Sequence, residues 1–331
     1  MYLSNFNMIF LSTLLFGSIL AVSSFSWFST WAGLELNLLS IIPLMINEKN
    51  KYSSESALKY FLVQAFSSSL IIFSSTMLMF SSKIFFFILM TSLLLKLGSA
   101  PFHFWFPVIM EGLLWPQALI MLTIQKLAPV FLLCTMMKYF NISNMLIFSA
   151  ICSSLTGAIS GINQTSLRKI LAFSSINHMS WMLAAILINE QMLFNYFLFY
   201  CLISFSVVSM FLVFQKFHFN QLLILKTPFL VKMVSIMSIL SLGGLPPFMG
   251  FLPKWLMIQE LANFKHFFML MIFLFSTLIT LYFYIRLSVS FLSINSFNFK
   301  TNNFYFKKNN LLVFCYLNFI GMIFPSCEIL F

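Results

Sequence analysis

The chain has 331 residues, of which 61% are hydrophobic and 8% are charged, and its mean hydropathy is +0.98. A soluble domain carries about 25% charged residues, so the composition excludes a soluble protein and indicates a polytopic membrane protein. Nearly every window of about 20 residues is apolar enough to span a bilayer, which leaves no length for a separate soluble domain. The basic residues that give the net charge of +11 are scattered singly between apolar runs. This pattern indicates that they orient the chain in the membrane and does not favour nucleic-acid binding.

The residue usage indicates an organellar origin. Phe (45) and Met (22) are abundant and Asp is absent, as an AT-rich coding sequence would give. The first basic residue is Lys49, so the basic region of a secretory signal and an Arg-rich transit peptide are both missing. The five cysteines form no CxxC pair and the four histidines lie far apart. We therefore expect neither a disulfide framework nor a metal site.

The hydrophobic pattern predicts an all-α polytopic membrane protein with about eleven transmembrane helices, because backbone groups in lipid must be satisfied internally. The alternating pattern of a membrane β-barrel is absent. The expected spans, in chain order, are 4–23, 25–46, 55–81, 84–107, 116–137, 141–162, 170–188, 192–215, 229–262 (broken), 266–292 and 310–330.

The second span carries Glu35, which is the only charged residue before position 48. A carboxylate near the middle of a membrane costs roughly 2.5–3.5 kcal/mol on insertion scales, and such residues usually face the bundle interior and mark ion paths. A glutamate that is held neutral, or that is paired to join two helices, is the structural alternative. We favour a place on an ion path.

The fourth, fifth and ninth spans each hold a lysine within three residues of a proline or glycine. These lysines are Lys96, Lys126 and Lys254. Burial disfavours the charged form of a lysine and a nearby carboxylate favours it, so such a side chain can take up and release a proton. A lysine that snorkels to the interface is the alternative; it suits Lys254 better than the other two, which lie near span centres.

The letters L-G-x-x-P at residues 97–101 of the fourth span recur at residues 242–246 of the ninth. The two copies are five spans apart, so they enter the membrane from opposite faces. Interrupted helices at matching places in two inverted halves are typical of a transporter's ion path. The breaks and the buried lysines together predict a hydrated gap in the membrane.

The seventh span contains His178, which can titrate near neutral pH, although a satisfied core histidine is an equal alternative. Gln64, Gln125 and Asn177 could line the same axis, but such residues more often form interhelical hydrogen bonds.

Basic residues outside these sites sort by side of the membrane. Eleven follow spans two, six, eight and ten, whereas three lie on the opposite side, which places the N-terminus inside and the C-terminus outside. The larger group is Lys49, Lys51, Lys59, Arg168, Lys169, Lys216, Lys226, Lys232, Lys300, Lys307 and Lys308, and the smaller group is Lys83, Lys138 and Lys265.

Six stretches occur in this order: TWAGLELNLLSIIPL, ALKYFLVQA, KLGSAPFHFWFP, TIQKLAPV, NQTSLRKILAFSSINHMSWM and LSLGGLPPFMGFLPKW. Together they resemble the chain 2 family of NADH–ubiquinone oxidoreductase, antiporter-like membrane subunits of mitochondrial respiratory complex I. The resemblance runs from about Trp27 to Arg286. It implies two inverted five-helix bundles, 1–138 and 139–292, each with a discontinuous helix, and then a loop and C-terminal transmembrane helix, 293–331.

The resemblance also implies roles for single residues. Glu35 would be the acidic residue of the first bundle, paired with Lys96. Lys126 would be the connecting lysine, and Lys254 the terminal group in the second broken helix. The implied function is proton translocation across the mitochondrial inner membrane, coupled to NADH oxidation and ubiquinone reduction elsewhere in the complex. The N-terminus would face the matrix and the C-terminus the intermembrane space.

The sequence contains no GxGxxG, no FMN site and no cysteine cluster for iron–sulfur ligation. We expect this chain to bind no cofactor, with FMN, iron–sulfur clusters and ubiquinone elsewhere in the complex. The expected partners are other complex I membrane subunits, including neighbouring antiporter-like subunits, together with supernumerary subunits and membrane lipids, and not nucleic acid. Two alternatives stay open: a stand-alone cation/proton antiporter, and a structural scaffold whose buried charges only lock helices together.

Overall fold

A computed structural model describes residues 5–47, 50–77, 82–139, 143–223 and 228–292. These residues form α-helices and no strand, apart from one isolated antiparallel bridge between Ser166 and His218. The all-helical fold class is confirmed. The predicted eleventh span, 310–330, and the predicted C-terminal segment 293–331 lie outside the described residues.

Each of the other ten predicted spans coincides with one helix or with two consecutive helices. The helices of the described part are α1 Asn5–Ser23, α2 Trp27–Met45, α3 Lys51–Met77, α4 Ser82–Leu97, α5 Trp105–Gly112, α6 Trp115–Leu122, α7 Ile124–Tyr139, α8 Ser143–Gly161, α9 Leu167–Ile188, α10 Glu190–Phe214, α11 Phe219–Leu223, α12 Phe229–Gly243, α13 Phe251–Asn263 and α14 Phe267–Leu292.

The described residues fall into two compact units, divided between Ser153 and Ser154 within α8. In the first unit α3 contacts α2, α4 and α5, while α7 contacts α1, α4 and α6. In the second unit α10 contacts α9, α12 and α13, and α14 contacts α9, α12 and α13. The division into two inverted five-helix bundles at 138/139 stays a prediction.

Two apolar helices that end at the predicted interruptions, α4 and α12, are too short to cross a bilayer. The apolar stretches Ile84–Leu97 of α4 and Phe229–Gly243 of α12 fall below the length of the eight spanning stretches in the described part. With 16 and 15 residues, α4 and α12 extend about 24 and 22 Å, whereas the hydrocarbon core measures about 30 Å. Each is followed by a non-helical segment, 98–104 or 244–250, before the chain continues as α5 or α13. Both predicted interruptions are therefore present.

The repeat at the two breaks differs by one residue from the letter match. The backbone is left-handed at Gly98 (φ 67°) after α4 and at Gly244 (φ 77°) after α12, a conformation that favours glycine at a helix end. The letters pair Gly98 with Gly243, but Gly243 is the last residue of α12. When the two copies are aligned on their left-handed glycines, Gly98 and Gly244, the residue that corresponds to Pro101 is Pro247 and not Pro246.

A third interruption, which the sequence did not predict, separates α6 from α7 at Thr123. Thr123 has φ −115° and ψ −76°, and its hydroxyl donates to the carbonyl of Leu119 at 2.8 Å. A threonine that bonds back to the carbonyl four residues earlier competes with the helix ladder and bends the helix. The expected continuous span 116–137 is thus two helices.

Glycines allow α1 and α2 to pack with their backbones close together. A Cβ atom on Gly33 would lie 2.6 Å from the backbone nitrogen of Ala21, and one on Gly17 would lie 3.0 Å from the carbonyl oxygen of Gly33. Small residues at such crossings let membrane helices approach closely. This contact fixes the part of α2 that carries Glu35, two residues beyond Gly33.

We expect Gly33→Leu to destabilise the first unit, because the new side chain would meet backbone atoms of α1 that cannot rotate away. Overpacking of this kind costs about 1–3 kcal/mol. The thermal unfolding midpoint of the assembled membrane complex measures the effect. Leu39→Phe enlarges an exposed position of the same helix and serves as the control; equal midpoints for the two variants would contradict the close crossing.

Candidate functional site

Lys96 lies in the last turn of α4, two residues before the break, and is 7% exposed. The last carbonyl groups of a helix lack partners within it and carry its negative dipole end. Neutral side chains donate hydrogen bonds to two of these carbonyls: Trp105 Nε1 donates to Leu95 O at 3.1 Å, and Gln64 Nε2 donates to Lys96 O at 3.4 Å. The Lys96 ammonium group is therefore not needed to cap its own helix.

Glu35 on α2 is half-buried and acts electrostatically on the ammonium group of Lys96. No ion pair within 4 Å joins these two described residues, and Glu35 Oε2 is buried without a hydrogen-bond partner in the described part of the chain. The structure thus brings the predicted pair within electrostatic range but not into direct contact. A small shift of either helix changes their interaction energy, because it varies inversely with distance.

A cavity of about 10 Å³ lies beside Lys96 in the first unit. Its polar lining consists of Asn37, Tyr60, Gln64, Lys96 and Gln125. These side chains come from four helices, α2, α3, α4 and α7. Gln64 and Gln125 were considered as lining residues from sequence, whereas Asn37 and Tyr60 were missed.

A helical pattern in the sequence could have identified Tyr60. Ser56, Tyr60, Gln64 and Ser67 repeat at spacings of four, four and three residues within an otherwise apolar span, and all four are buried. This spacing places them on one face of a helix. A polar stripe of this kind in a membrane helix indicates a face that turns toward protein or water and not toward lipid.

Lys126 lies in the first turn of α7, three residues after the interruption at Thr123, and is 3% exposed. Its Nζ lies 5.1 Å from the centroid of the Phe106 ring on α5, a distance at which a cation is attracted to an aromatic face. The preceding residue, Gln125, lines the cavity beside Lys96. Lys126 is therefore next in the chain to a residue of that cavity, while its own Nζ lies over the Phe106 ring.

Lys254 lies in the first turn of α13 and is 6% exposed. Its Nζ donates to the carbonyl oxygen of Gly243 at 2.8 Å, which bridges the second break. A Cβ atom on Gly244 would lie 2.8 Å from Lys254 Cδ and 2.9 Å from Nζ. Lys254 therefore caps the end of α12. Glycine at position 244 leaves the space that the lysine side chain occupies.

His178 lies on α9, which is buried along nearly its whole length. Its Nδ1 is 3.0 Å from the hydroxyl of Tyr196, and its ring centroid is 5.3 Å from that of Tyr200. Trp181 stacks on Tyr196 with an interplanar angle of 9°. The histidine is thus part of an aromatic cluster in the second unit, on a helix that contacts the helix of Lys254.

The cysteines of the described residues, Cys134, Cys152 and Cys201, form no disulfide bond with one another. Within that part of the chain, no group of three or more His, Cys or Glu side chains could hold a metal ion. Cys315 and Cys327 lie outside the described residues.

We expect Gly244→Ala to displace Lys254 and to lower proton translocation by the assembled complex. The left-handed backbone costs a residue with a Cβ atom about 1–2 kcal/mol, and the added methyl group would occupy the space of the lysine side chain. Proton pumping per NADH oxidised in reconstituted vesicles measures the effect. Gly243→Ala is the matched control, since its Cβ would meet only Tyr284 at an ordinary 3.4 Å. Equal pumping by both variants would contradict the expected role of the space at position 244.

Comparisons with known proteins agree with the family resemblance and the fold. The family model described as NADH:quinone oxidoreductase/Mrp antiporter, transmembrane, matches residues 24–84 and 79–280. NADH-ubiquinone oxidoreductase chain 2 of Anopheles gambiae is 48% identical over 335 residues, which cover 97% of this chain and 97% of that protein. The resemblance seen in the sequence is thereby confirmed.

Two solved structures share the fold. A chain of respiratory complex I from Thermus thermophilus with bound aureothin has a TM-score of 0.82 at 22% identity, over 96% of this chain and 76% of that chain. A chain of the Mrp complex from Dietzia sp. DQ12-45-1b has a TM-score of 0.74 at 15% identity, over 84% of this chain and 58% of that chain. The chain belongs to the NADH:quinone oxidoreductase/Mrp antiporter family of transmembrane proteins.

Proposed function

We propose that this chain is a core membrane-arm subunit of respiratory complex I, the NADH:ubiquinone reductase, and that it translocates protons across the inner mitochondrial membrane. NADH oxidation and ubiquinone reduction take place in other subunits, which hold the FMN and iron–sulfur clusters, and this chain binds no redox centre. Its partners are the other membrane subunits of the complex, its N-terminus faces the matrix and its C-terminus faces the intermembrane space. The 48% identity to NADH-ubiquinone oxidoreductase chain 2 of Anopheles gambiae, which extends over 97% of each chain, supports this assignment.

One observation carries the proton-path role: Lys96 is buried in the last turn of α4, a helix too short to cross a bilayer, and Glu35 lies within electrostatic range of it without forming an ion pair. A salt bridge between Lys96 and Glu35 would hold α4 and α2 together, and its interaction energy would not change during the pumping cycle. A separated pair beside a polar cavity can instead change its interaction when either helix shifts. The charge on Lys96 can therefore follow the conformation of the complex.

Lys254 has a different setting in the proposed path. Its ammonium group rests on the carbonyl of Gly243, and a charged donor makes a hydrogen bond roughly twice as strong as a neutral one. After Lys254 releases a proton, the neutral amine still has N–H groups that can donate to this carbonyl, so the cap persists in a weaker form. In our proposal Lys96, Lys126 and Lys254 carry the proton, and His178 takes part in the second unit.

A stand-alone cation/proton antiporter is the second candidate, because the family model and the fold likeness both extend to Mrp proteins. Purification separates the two. A subunit of complex I copurifies with a large NADH dehydrogenase that contains FMN, whereas an antiporter copurifies with membrane partners alone.

We expect Lys96→Met to reduce the number of protons pumped per NADH oxidised while NADH oxidation itself continues. Methionine keeps most of the length of the side chain and removes the charge, so Glu35 loses the group on which it acts. Proton uptake and NADH oxidation are measured together in vesicles that contain the intact complex.

Lys59→Met is the matched control, since Lys59 is exposed and, among the residues that the structure describes, pairs only with Glu55 one helical turn away. Normal pumping by the Lys96→Met complex, with only its assembly reduced, would support a structural scaffold and contradict the proton-path role.

A further inference from the structure

The cavity beside Lys96 contains two buried polar atoms that have no protein partner in the described part of the chain. Asn37, which is 3% exposed, presents an unpartnered Oδ1, and Gln125 presents an unpartnered Nε2. One of these atoms is a hydrogen-bond acceptor and the other is a donor. Buried polar groups without a protein partner are typically satisfied by an ordered water molecule.

The size of the cavity fits a single water molecule. It measures about 10 Å³, close to the smallest space that holds one water. Its lining combines the acceptor on α2, the donor on α7 and the ammonium group of Lys96 on α4. A water molecule needs two to four polar partners, and these side chains supply three.

Tyr60 fixes the direction of the Gln125 amide group. The Tyr60 hydroxyl donates to Gln125 Oε1 at 3.1 Å, which leaves the amide nitrogen as the end without a partner. A reversed amide would take this acceptor away from the Tyr60 hydroxyl, which is buried and has no other acceptor in the described part of the chain. The observed direction is therefore the one that leaves fewer groups unsatisfied.

We propose that this cavity binds one water molecule beside Lys96 and that Tyr60 is a positioning residue that acts on the water through Gln125. The proposal rests on the proposed role of Lys96 as a proton carrier. The water accepts a hydrogen bond from Gln125 Nε2 and donates one to Asn37 Oδ1, which leaves it one lone pair and one hydrogen. The lone pair accepts from the ammonium form of Lys96, and the hydrogen donates to the neutral amine. The same water thus serves both charge states without rearrangement of its other partners.

A reversed Gln125 amide would remove this balance. The water would then donate to both amide oxygens, Asn37 Oδ1 and Gln125 Oε1, and would keep two lone pairs and no hydrogen. It could accept from either charge state of Lys96, since the neutral amine also has N–H groups, but it could not donate to the lone pair of the neutral amine. That lone pair would lack a donor from the water, the water could no longer pass a proton to the lysine, and exchange between the two states would slow.

Tyr60→Phe tests the proposal, because it removes the hydroxyl group and keeps the ring. In the intact complex we expect the rate of proton pumping to fall by up to about fivefold, the factor that corresponds to one neutral hydrogen bond. Tyr282→Phe removes the hydroxyl of an exposed tyrosine on α14 and should leave pumping unchanged.

Gln125→Met should also lower pumping, and adding Tyr60→Phe to it should cause no further loss, because the tyrosine acts through the glutamine. Additive losses would indicate a merely structural role for Tyr60 and overturn the proposal.

High-resolution electron cryomicroscopy of the unaltered complex provides the direct readout. We expect one water within hydrogen-bond distance of Asn37, Gln125 and Lys96. A dry cavity, or equal pumping by the Tyr60→Phe and Tyr282→Phe complexes, would overturn the proposal even where Lys96→Met abolishes pumping. Normal pumping by the Lys96→Met complex would instead overturn the proposed function.

Discussion

A helix that ends inside a membrane must find partners for its last carbonyl groups, and the two breaks of this chain depend on that constraint. Water is scarce in hydrocarbon, so an unsatisfied carbonyl there costs several kcal/mol. Both α4 and α12 end at a glycine with left-handed backbone, and both leave their negative dipole ends within the protein. A buried lysine is stabilised at such a place, which accounts for the position of a cation beside each break.

The two units satisfy this constraint with different groups. At the end of α4, Trp105 and Gln64 bind carbonyls with neutral N–H groups, and Lys96 is left to face the cavity and Glu35. At the end of α12, Lys254 itself binds the carbonyl of Gly243. The first lysine therefore interacts with a carboxylate that it does not contact, whereas the second bonds directly to a backbone carbonyl. In the proposed function, this difference gives the first unit the more direct means of coupling charge to conformation.

The sequence predicted the features that depend on composition and on helix breakers. Apolar stretches determine the spans, and a cluster of glycine and proline within a span favours an interruption, so the two broken helices were expected. Single prolines did not have this effect, since Pro43 and Pro129 lie inside α2 and α7. The interruption at Thr123 was not, because it depends on a hydroxyl group bonding back to the preceding turn, and most threonines in helices do so without breaking them. The one-residue offset to Gly244 likewise depends on backbone angles that the letters do not contain.

The residues of the candidate site likewise divide into those that residue type predicts and those that only the packing of the helices reveals. Charged residues in hydrocarbon are conspicuous, so Glu35 and Lys96 were found from the sequence alone. Tyr60 and Asn37 are neutral. The polar stripe on α3 could have identified Tyr60, whereas only its place at the cavity between α2 and α3 distinguishes Asn37 from other polar residues in the spans. The bond between Lys254 and Gly243 also required coordinates, because it joins residues eleven positions apart across a loop.

The central claim is that water reaches the two helix breaks and keeps their lysines able to change charge. Hydrogen–deuterium exchange of the intact complex in lipid tests this most directly, with peptides that cover residues 98–104 and 244–250 compared with the buried helix α9. Our account expects the backbone amides at both breaks to exchange much faster than those of α9. Exchange at both breaks as slow as in α9 would contradict it.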